Sequence, residues 1–284
     1  MARELAYGID VSNEDATDFV GSIRFGCSSG LLFLAALSGA GCSQNANLGS
    51  IGDGPASLLW KATFEGGSFS EWTSDGHGGP YVENAGNLEP YLTQMTTHRG
   101  SSFAAVVTAV PTSMTSIMYL SRDQPTPQAA YYSAWFYVPS SISVPAGYYL
   151  SLCHFRSRDQ DATDSLTGYW DVNLSPQVGG GLAAQIYDFK NMVNTPQLFT
   201  VLFPQDQWVQ LEVYFVKATD QTGQLTVWQQ GVQILSRLAV KTLRTDYLQW
   251  EVGAASNGIS PPAASVFVDD AAISLVRLGP DAVF

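Results

Sequence analysis

Positive charge is scarce in this chain, and that scarcity narrows the field first. Lys and Arg number 13 against 25 acids, for a formal net charge of −12. Nucleic-acid binding needs a basic footprint, so that partner class is excluded. The same balance weighs against a strongly anionic polymer, except where a local basic groove overrides the global charge. Charge of either sign is low, with Asp, Glu, Lys and Arg making up 13% of residues, about half the usual ~25%. Cysteine is nearly absent: Cys27 and Cys42 flank an apolar segment, which leaves the body with Cys153 alone. That excludes an intrachain disulfide in the body and any zinc-ligand spacing. Cys153 is expected to be a small buried hydrophobe in a strand. Also missing are a phosphate loop, a Gly-x-Ser-x-Gly elbow and a dinucleotide fingerprint. From Leu58 onward no apolar pattern of period 3.6 runs beyond two turns.

What remains is aromatic and β-prone. Phe, Trp and Tyr make up 12% of the chain and hydrophobic residues 45%. Short runs rich in Val, Tyr, Phe, Trp and Thr, separated by Gly, Pro, Asn or Asp, read as strands. They cover Leu58–Glu65, Ser102–Val110, Ser116–Arg122, Ala130–Val138, Tyr148–Arg156, Tyr169–Leu174, Leu182–Tyr187, Leu198–Phe203, Trp208–Lys217, Gln224–Gln230, Tyr247–Gly253 and Ser265–Val276. The fold class expected is all-β, a sandwich of two antiparallel sheets. No internal repeat and no second domain stand out.

The N-terminal region is organised differently. Gly30–Gly41 reads GLLFLAALSGAG and is followed by Cys42. Arg24 precedes this run and small residues close it. That is the layout of a secretory signal, too short to anchor across a bilayer. Small residues just before a cysteine resemble a bacterial lipoprotein signal. The resemblance implies acylation of Cys42 and an envelope lipoprotein at the outer membrane or cell surface. Gly39 stands where such signals carry Leu or another aliphatic residue, so ordinary cleavage and secretion stay open. Glu4, Asp10, Glu14, Asp15 and Asp18 make residues 1–19 too acidic for a signal, so translation is expected to start downstream, at Val20 if its codon initiates. The layout expected is an export region over 1–41, a flexible polar tether over 42–57 and a sandwich domain over 58–284.

Period-2 alternation assigns faces to the strands. Val209, Leu211, Val213 and Phe215 oppose Trp208, Gln210, Glu212 and Tyr214. Leu225 and Val227 oppose Gln224, Thr226, Trp228 and Gln230. Tyr132, Ala134, Phe136 and Val138 oppose Tyr131, Ser133, Trp135 and Tyr137. Trp170, Val172 and Leu174 oppose Tyr169, Asp171 and Asn173. The outer faces carry aromatics, amides and acids, which suit sugars: rings stack on pyranose C–H faces, and amides and carboxylates satisfy hydroxyls. Trp135, Tyr137, Tyr169, Asp171, Glu212, Tyr214 and Trp228 are the candidate carbohydrate-binding residues, expected across one sheet. The alternative is that these are ordinary strand aromatics on a solvated surface.

Five segments carry a family resemblance: TFEGGSFSEW (Thr63–Trp72), HRGSSFAAV (His98–Val106), AYYSAWFYVP (Ala130–Pro139), GQLTVWQQG (Gly223–Gly231) and VFVDDAAIS (Val266–Ser274). In order and spacing they resemble the concanavalin A-like lectin/glucanase jelly rolls, and within them the heparin lyase I-like polysaccharide lyases. The resemblance spans Leu58 to Leu278. It implies a polysaccharide partner, no organic cofactor and a monomer. Binding modules share the opening and closing strands, so recognition and cleavage both stay open, with a surface adhesion protein lacking a glycan ligand as the third reading.

β-Elimination of a uronate needs a group that neutralises the carboxylate and a base that reaches the C5 proton. Such lyases place a Gln and a His two apart on a central strand. Here SLCHFR (Ser151–Arg156) supplies His154, with Leu152 in the place of the Gln. Arg122-Asp123 matches an Arg–acid pair expected earlier. Where a Lys and a Tyr are expected late, YLQWEVGAA (Tyr247–Ala255) offers Gln249, Glu251 and Ala255. The lyase set implied is His154 with Arg122, Arg156 and Tyr187; the alternative for His154 is a structural hydrogen bond. Hydrolysis is less expected, because Asp171 and Glu212 lie on separate strands rather than as closely spaced acids on one.

Glu65 ends the first strand and Asp269-Asp270 lie in the last. In related jelly rolls these strands are neighbours, and the resemblance implies a structural Ca²⁺ held by carboxylates and backbone carbonyls. Solvated acids at strand ends are the alternative. His77, in DGHGGP, reads as a loop histidine, and Arg156–Asp164 as a loop that would rim a groove.

Overall fold

A computed structural model describes residues 57–283 apart from 113, 124–125, 158–166 and 198, and leaves out the side chains of 167–169. The export region, Cys42 and nearly all of the tether lie outside the described residues.

The body opens with β1 (Leu58–Ala62), the short helix α1 (Ser70–Thr73), β2 (Gly78–Glu83) and β3 (Tyr91–Thr93). β4 (Ala104–Ala109), β5 (Ser116–Arg122), β6 (Ala129–Tyr137), β7 (Leu150–Ser157), β8 (Thr167–Pro176) and β9 (Leu182–Asp188) follow. Next come β10 (Val193–Thr195), β11 (Leu202–Phe203), β12 (Trp208–Val216) and β13 (Gly223–Gln229). β14 (Val232–Val240), β15 (Gln249–Ser256) and β16 (Ala264–Ser274) complete the chain.

These strands form two 8-stranded sheets. Sheet I runs β14-β13-β12-β6-β16-β4-β3, with β1 also on β16; sheet II runs β10-β9-β8-β7-β15-β5-β2, with β11 also on β9. All their ladders are antiparallel. The expected sandwich is therefore the observed one.

The alternation explains the core. Val209, Leu211, Val213, Phe215, Leu225 and Val227 are fully buried, and Ala134, Phe136, Trp170, Val172 and Leu174 join them between the sheets. Each apolar face removes its area from water only by meeting the other sheet. Cys153 is buried as expected, and burial pushes its thiol pKa up.

All twelve strands expected from the sequence correspond to strands here; β2, β3, β10 and β14 went unanticipated. β2 begins Gly-Gly-Pro, which reads as a turn. It is instead packed so closely on β5 that a Cβ on Gly78 would collide with the Ser121 carbonyl. β14 is an edge strand whose burial does not alternate cleanly. Its hairpin with β13 turns through Gln230 and Gly231, at φ 49° and 79°, the left-handed pair that a tight two-residue hairpin loop demands.

One irregularity places chemistry. The ladder between β7 and β8 shifts between Ser151 and Cys153, so Leu152 and Cys153 both turn into the core. Across the bulge Ser151 faces Asn173 while His154 faces Asp171. A bulge of this kind re-aims side chains without ending the strand.

Candidate functional site

The outward face of sheet II carries a groove built by simple alternation. β5 presents Tyr119, β15 presents Glu251 and Ala255, β7 presents His154 and Arg156, and β8 presents Asp171 and Asn173. β9 adds Gln185 and Tyr187, and β2 adds Tyr81 and Glu83. Two cavities lie side by side here. One, of about 280 Å³, is lined by Tyr81, Glu83, Tyr119, His154, Arg156 and Asp171 among others. The other, of about 490 Å³, is lined by Asn173, Ser175, Gln185, Tyr187, Asn194 and Asn257 among others. Tyr149 and Phe189 belong to both walls.

Polar side chains on this floor are held in pairs. His154 Nδ1 lies 2.8 Å from Asp171 Oδ1, and both side chains are more than nine-tenths buried. His154 Nε2 is buried with no hydrogen-bond partner. Its ring lies roughly parallel to that of Phe189 at 5.7 Å. Arg156 Nε lies 2.9 Å from Glu251 Oε2, an ion pair too bent to count as a hydrogen bond, and its guanidinium sits 4.3 Å from the Tyr81 ring centroid.

Electrostatics follow from this packing. Burial raises the Glu251 carboxyl, while His154 and Arg156 pull it back down. Burial alone would lower Arg156, yet Glu251 and Tyr81 hold it above its ordinary value, so it stays a cation. Burial also raises the phenols of Tyr119, Tyr149 and Tyr187, with the Asp171 carboxylate adding to each. They remain neutral hydroxyls, able to donate to sugar oxygens. An imidazole with a carboxylate oxygen 2.8 Å from Nδ1 and Nε2 unspent is an arrangement that can accept or deliver a proton, although Asp171 Oδ1, like Glu251 Oε2, is not aligned for a hydrogen bond.

The structure brings His154, Arg156, Asp171 and Tyr187 together. It does not bring Arg122. On β5 Tyr119 faces the groove, so Leu120 and Arg122 face the opposite way. There the Arg122 guanidinium donates to the Trp72 carbonyl at 3.2 Å, pairs with Asp75 and sits 4.9 Å from the Trp60 ring centroid. Its expected role at the groove is thus corrected: strand parity points it away. The Tyr169 side chain lies outside the described residues.

The other sugar-binding candidates occupy the outward face of sheet I, so the expectation of one sheet is also corrected. Trp135 is 3% exposed; the His98 ring lies 3.8 Å above it. Glu212 is fully buried. It accepts from Arg277 Nε at 3.1 Å and from the Leu278 backbone N–H at 2.6 Å. Both are consumed by the chain itself, because the C-terminal segment and the His98 loop cover them. Tyr137, Tyr214 and Trp228 are half-buried on the same face. Tyr214 packs on Tyr131, and Arg277 lies over Trp228.

Glu65, Asp269 and Asp270 meet at one end of sheet I. Glu65 Oε1 accepts from the Ser102 N–H at 2.8 Å, and Asp269 Oδ2 from the His98 N–H at 3.1 Å. Asp270 is taken by His98 Nδ1 at 2.7 Å. Burial pushes Asp269 up to about 7, with Asp270 and then Glu65 contributing. Among the described residues no three His, Cys, Asp or Glu side chains are grouped to hold a metal ion. Oxygen donors for a hard cation therefore come down to Glu65, Asp269 and backbone carbonyls.

Tyr119, Tyr149, Phe189 and Asn257 were not anticipated at the site. Parity on the strand that contains Arg122 identifies Tyr119 as lying on the opposite face. Nothing local marks the others, since a bulge and two loops bring them in.

No family model matches the sequence, and no curated protein matches it. Solved structures do. An endo-β-1,4-glucuronan lyase from the fungus Trichoderma reesei matches at a TM-score of 0.59 and 16% identity, over 80% of this chain and all (100%) of its own. The chain shares the two-sheet antiparallel fold of this solved structure. An alginate lyase from the marine Aplysia kurodai matches at 0.51 and 11% identity, over 76% of this chain and 98% of its own.

Proposed function

We propose that this protein recognises a polysaccharide strand in the groove over sheet II. The observation that carries the reading is the pair of adjoining cavities. Tyrosine rings and a phenylalanine form their walls, and unspent polar groups of β7 and β8 line them. Rings supply the stacking surface and amides the hydroxyl partners. Support also comes from the shared fold with lyases that act on glucuronan and alginate. Affinity electrophoresis of the full chain through gels carrying polyuronates and neutral glycans tests it; unretarded migration in every gel refutes it.

One observation favours a second reading, cleavage by β-elimination. His154 Nε2 is left without a partner beside Arg156, while the Asp171 carboxylate lies 2.8 Å from the other ring nitrogen. In that chemistry Arg156 would stabilise the uronate carboxylate and His154 would take the C5 proton. The C5–H electrons would form the C4–C5 double bond as the C4–O bond breaks, and the departing oxygen would take a proton from a neighbouring phenol or water. General-base catalysis is worth roughly 10²–10⁴-fold, so His154→Gln should reduce formation of the unsaturated, ultraviolet-absorbing product by that factor. Folded wild-type protein that binds a polyuronate and forms no such product confines the function to recognition.

The domain reaches the cell envelope by export, with Cys42 as the acylated anchor; mass spectrometry of the mature N-terminus tests this. Calcium held between the exposed Glu65 and the buried Asp269 would neutralise the Asp269 carboxylate. It should raise the melting temperature relative to chelator, and an unchanged melting temperature removes the ion.

A further inference from the structure

We infer that the two halves of the groove take different sugar units: one uronate beside Arg156, and an uncharged, hydroxyl-rich unit over β8 and β9. The ligand is then a mixed glycan rather than an unbroken polyuronate. This deepens the polysaccharide reading and rests on it.

The inference comes from what each cavity offers a carboxylate. Among the described lining residues, Arg156 is the sole Lys or Arg in either half. Among its described lining residues the larger half has no charged side chain; Asn173, Ser175, Gln185, Asn194, Asn257 and tyrosines supply its polarity. Two of its polar atoms decide the sign of the preference. Asn173 Oδ1, on a residue 2% exposed, and Asn257 Oδ1 are both buried acceptors without a partner.

A buried acceptor needs a donor. A sugar hydroxyl donates as well as accepts, whereas an ionised carboxylate only accepts. A uronate placed in this half would lose water, find no cation, and set its oxygens against two amide oxygens. The net charge of −12 adds repulsion of the same sign. A neutral pyranose loses nothing comparable and satisfies both orphaned atoms. Beside Arg156, by contrast, one carboxylate meets a guanidinium and neutral phenols, which offset the Glu83, Asp171 and Glu251 carboxylates around it.

The test compares polyglucuronate and polymannuronate with their partially carboxyl-reduced forms, in which a fraction of the uronates has become neutral hexose. Binding of each to the full chain is measured by calorimetry. A partially reduced polymer should bind at least about tenfold more tightly than its parent. Asn194 lies at the exposed rim of the larger cavity, where Asn194→Arg adds the missing cation without disturbing the core. The variant should strengthen binding of the parent polyuronate about tenfold and erase the preference. A parent that binds as tightly as its reduced form, or a variant that gains nothing for the parent, overturns the inference while leaving the polysaccharide reading intact. If no polymer of either pair binds, the polysaccharide reading falls and this inference falls with it.

Discussion

The outward faces of the two sheets are built from similar residues and have opposite fates. On sheet I, Trp135, Gln210 and Glu212 are covered by the His98 loop and the C-terminal segment. Gln210 Nε2 donates to Ser133 and to the Gly279 carbonyl, and Glu212 is held by Arg277 and Leu278. On sheet II, His154, Asn173 and Tyr149 line open cavities, and Asn173 Oδ1 and His154 Nε2 have no partner. A polar group spent on its own chain contributes stability; one left unspent at a cavity is available to a ligand. Residue type alone does not separate the two, since both faces are rich in Trp, Tyr, Gln and acids.

That contrast can be broken by substitution. The largest effect is expected from Trp135→Ala, which deletes a buried indole and should cost about 3–5 kcal/mol in urea unfolding. Glycan affinity of the remaining folded protein should stay unchanged; a parallel loss of affinity would return sheet I to the binding site. Glu212→Ala comes next. It frees the Leu278 N–H and the Arg277 side chain, at a cost of about 1.5–3 kcal/mol by the same measurement, again without a change in binding.

Groove substitutions should show the reverse pattern. Tyr187 is half-buried and packs edge-on against Phe189 at 4.8 Å. Tyr187→Ala should weaken glycan binding about tenfold while altering stability by no more than ~0.5 kcal/mol. A large stability loss with intact binding would erase the distinction between the faces.

The smallest effect concerns Arg122, which belongs to neither face. Its hydrogen bond holds the Asp75 carboxyl at about 2, below the 3.8 of a free aspartate. The contribution is therefore present above pH 3.8 and lost as pH falls through about 2. Asp75 is largely exposed, so Asp75→Asn should lower the melting temperature by only about 1–2 °C at neutral pH. The gap should close in strong acid; a gap that persists there would assign the effect to packing.

Sequence reading recovered strand positions and inner faces because both rest on local alternation. Val209, Leu211, Val213 and Phe215 alternate into the core between the sheets, and no distant contact changes that parity. It carried no sign of the bulge that puts Leu152 and Cys153 together into the core, and it misplaced Arg122, whose parity relative to the groove depends on which face of β5 is inward. It also grouped Trp135 and Glu212 with Asp171, because alternation tells in from out and carries no information about which strands share a sheet.

The sequence by itself determined the all-β class, the apolar faces, the acidic balance and the candidacy of His154, Arg156, Asp171 and Tyr187. The class, the faces and Asp171 follow from composition and from a period of two, and His154, Arg156 and Tyr187 from what the family resemblance implies. Tertiary structure alone decided which outward face stays open. Covering Trp135 and Glu212 takes segments more than thirty residues away in the chain, His98 and Arg277, and only the folded path puts them there.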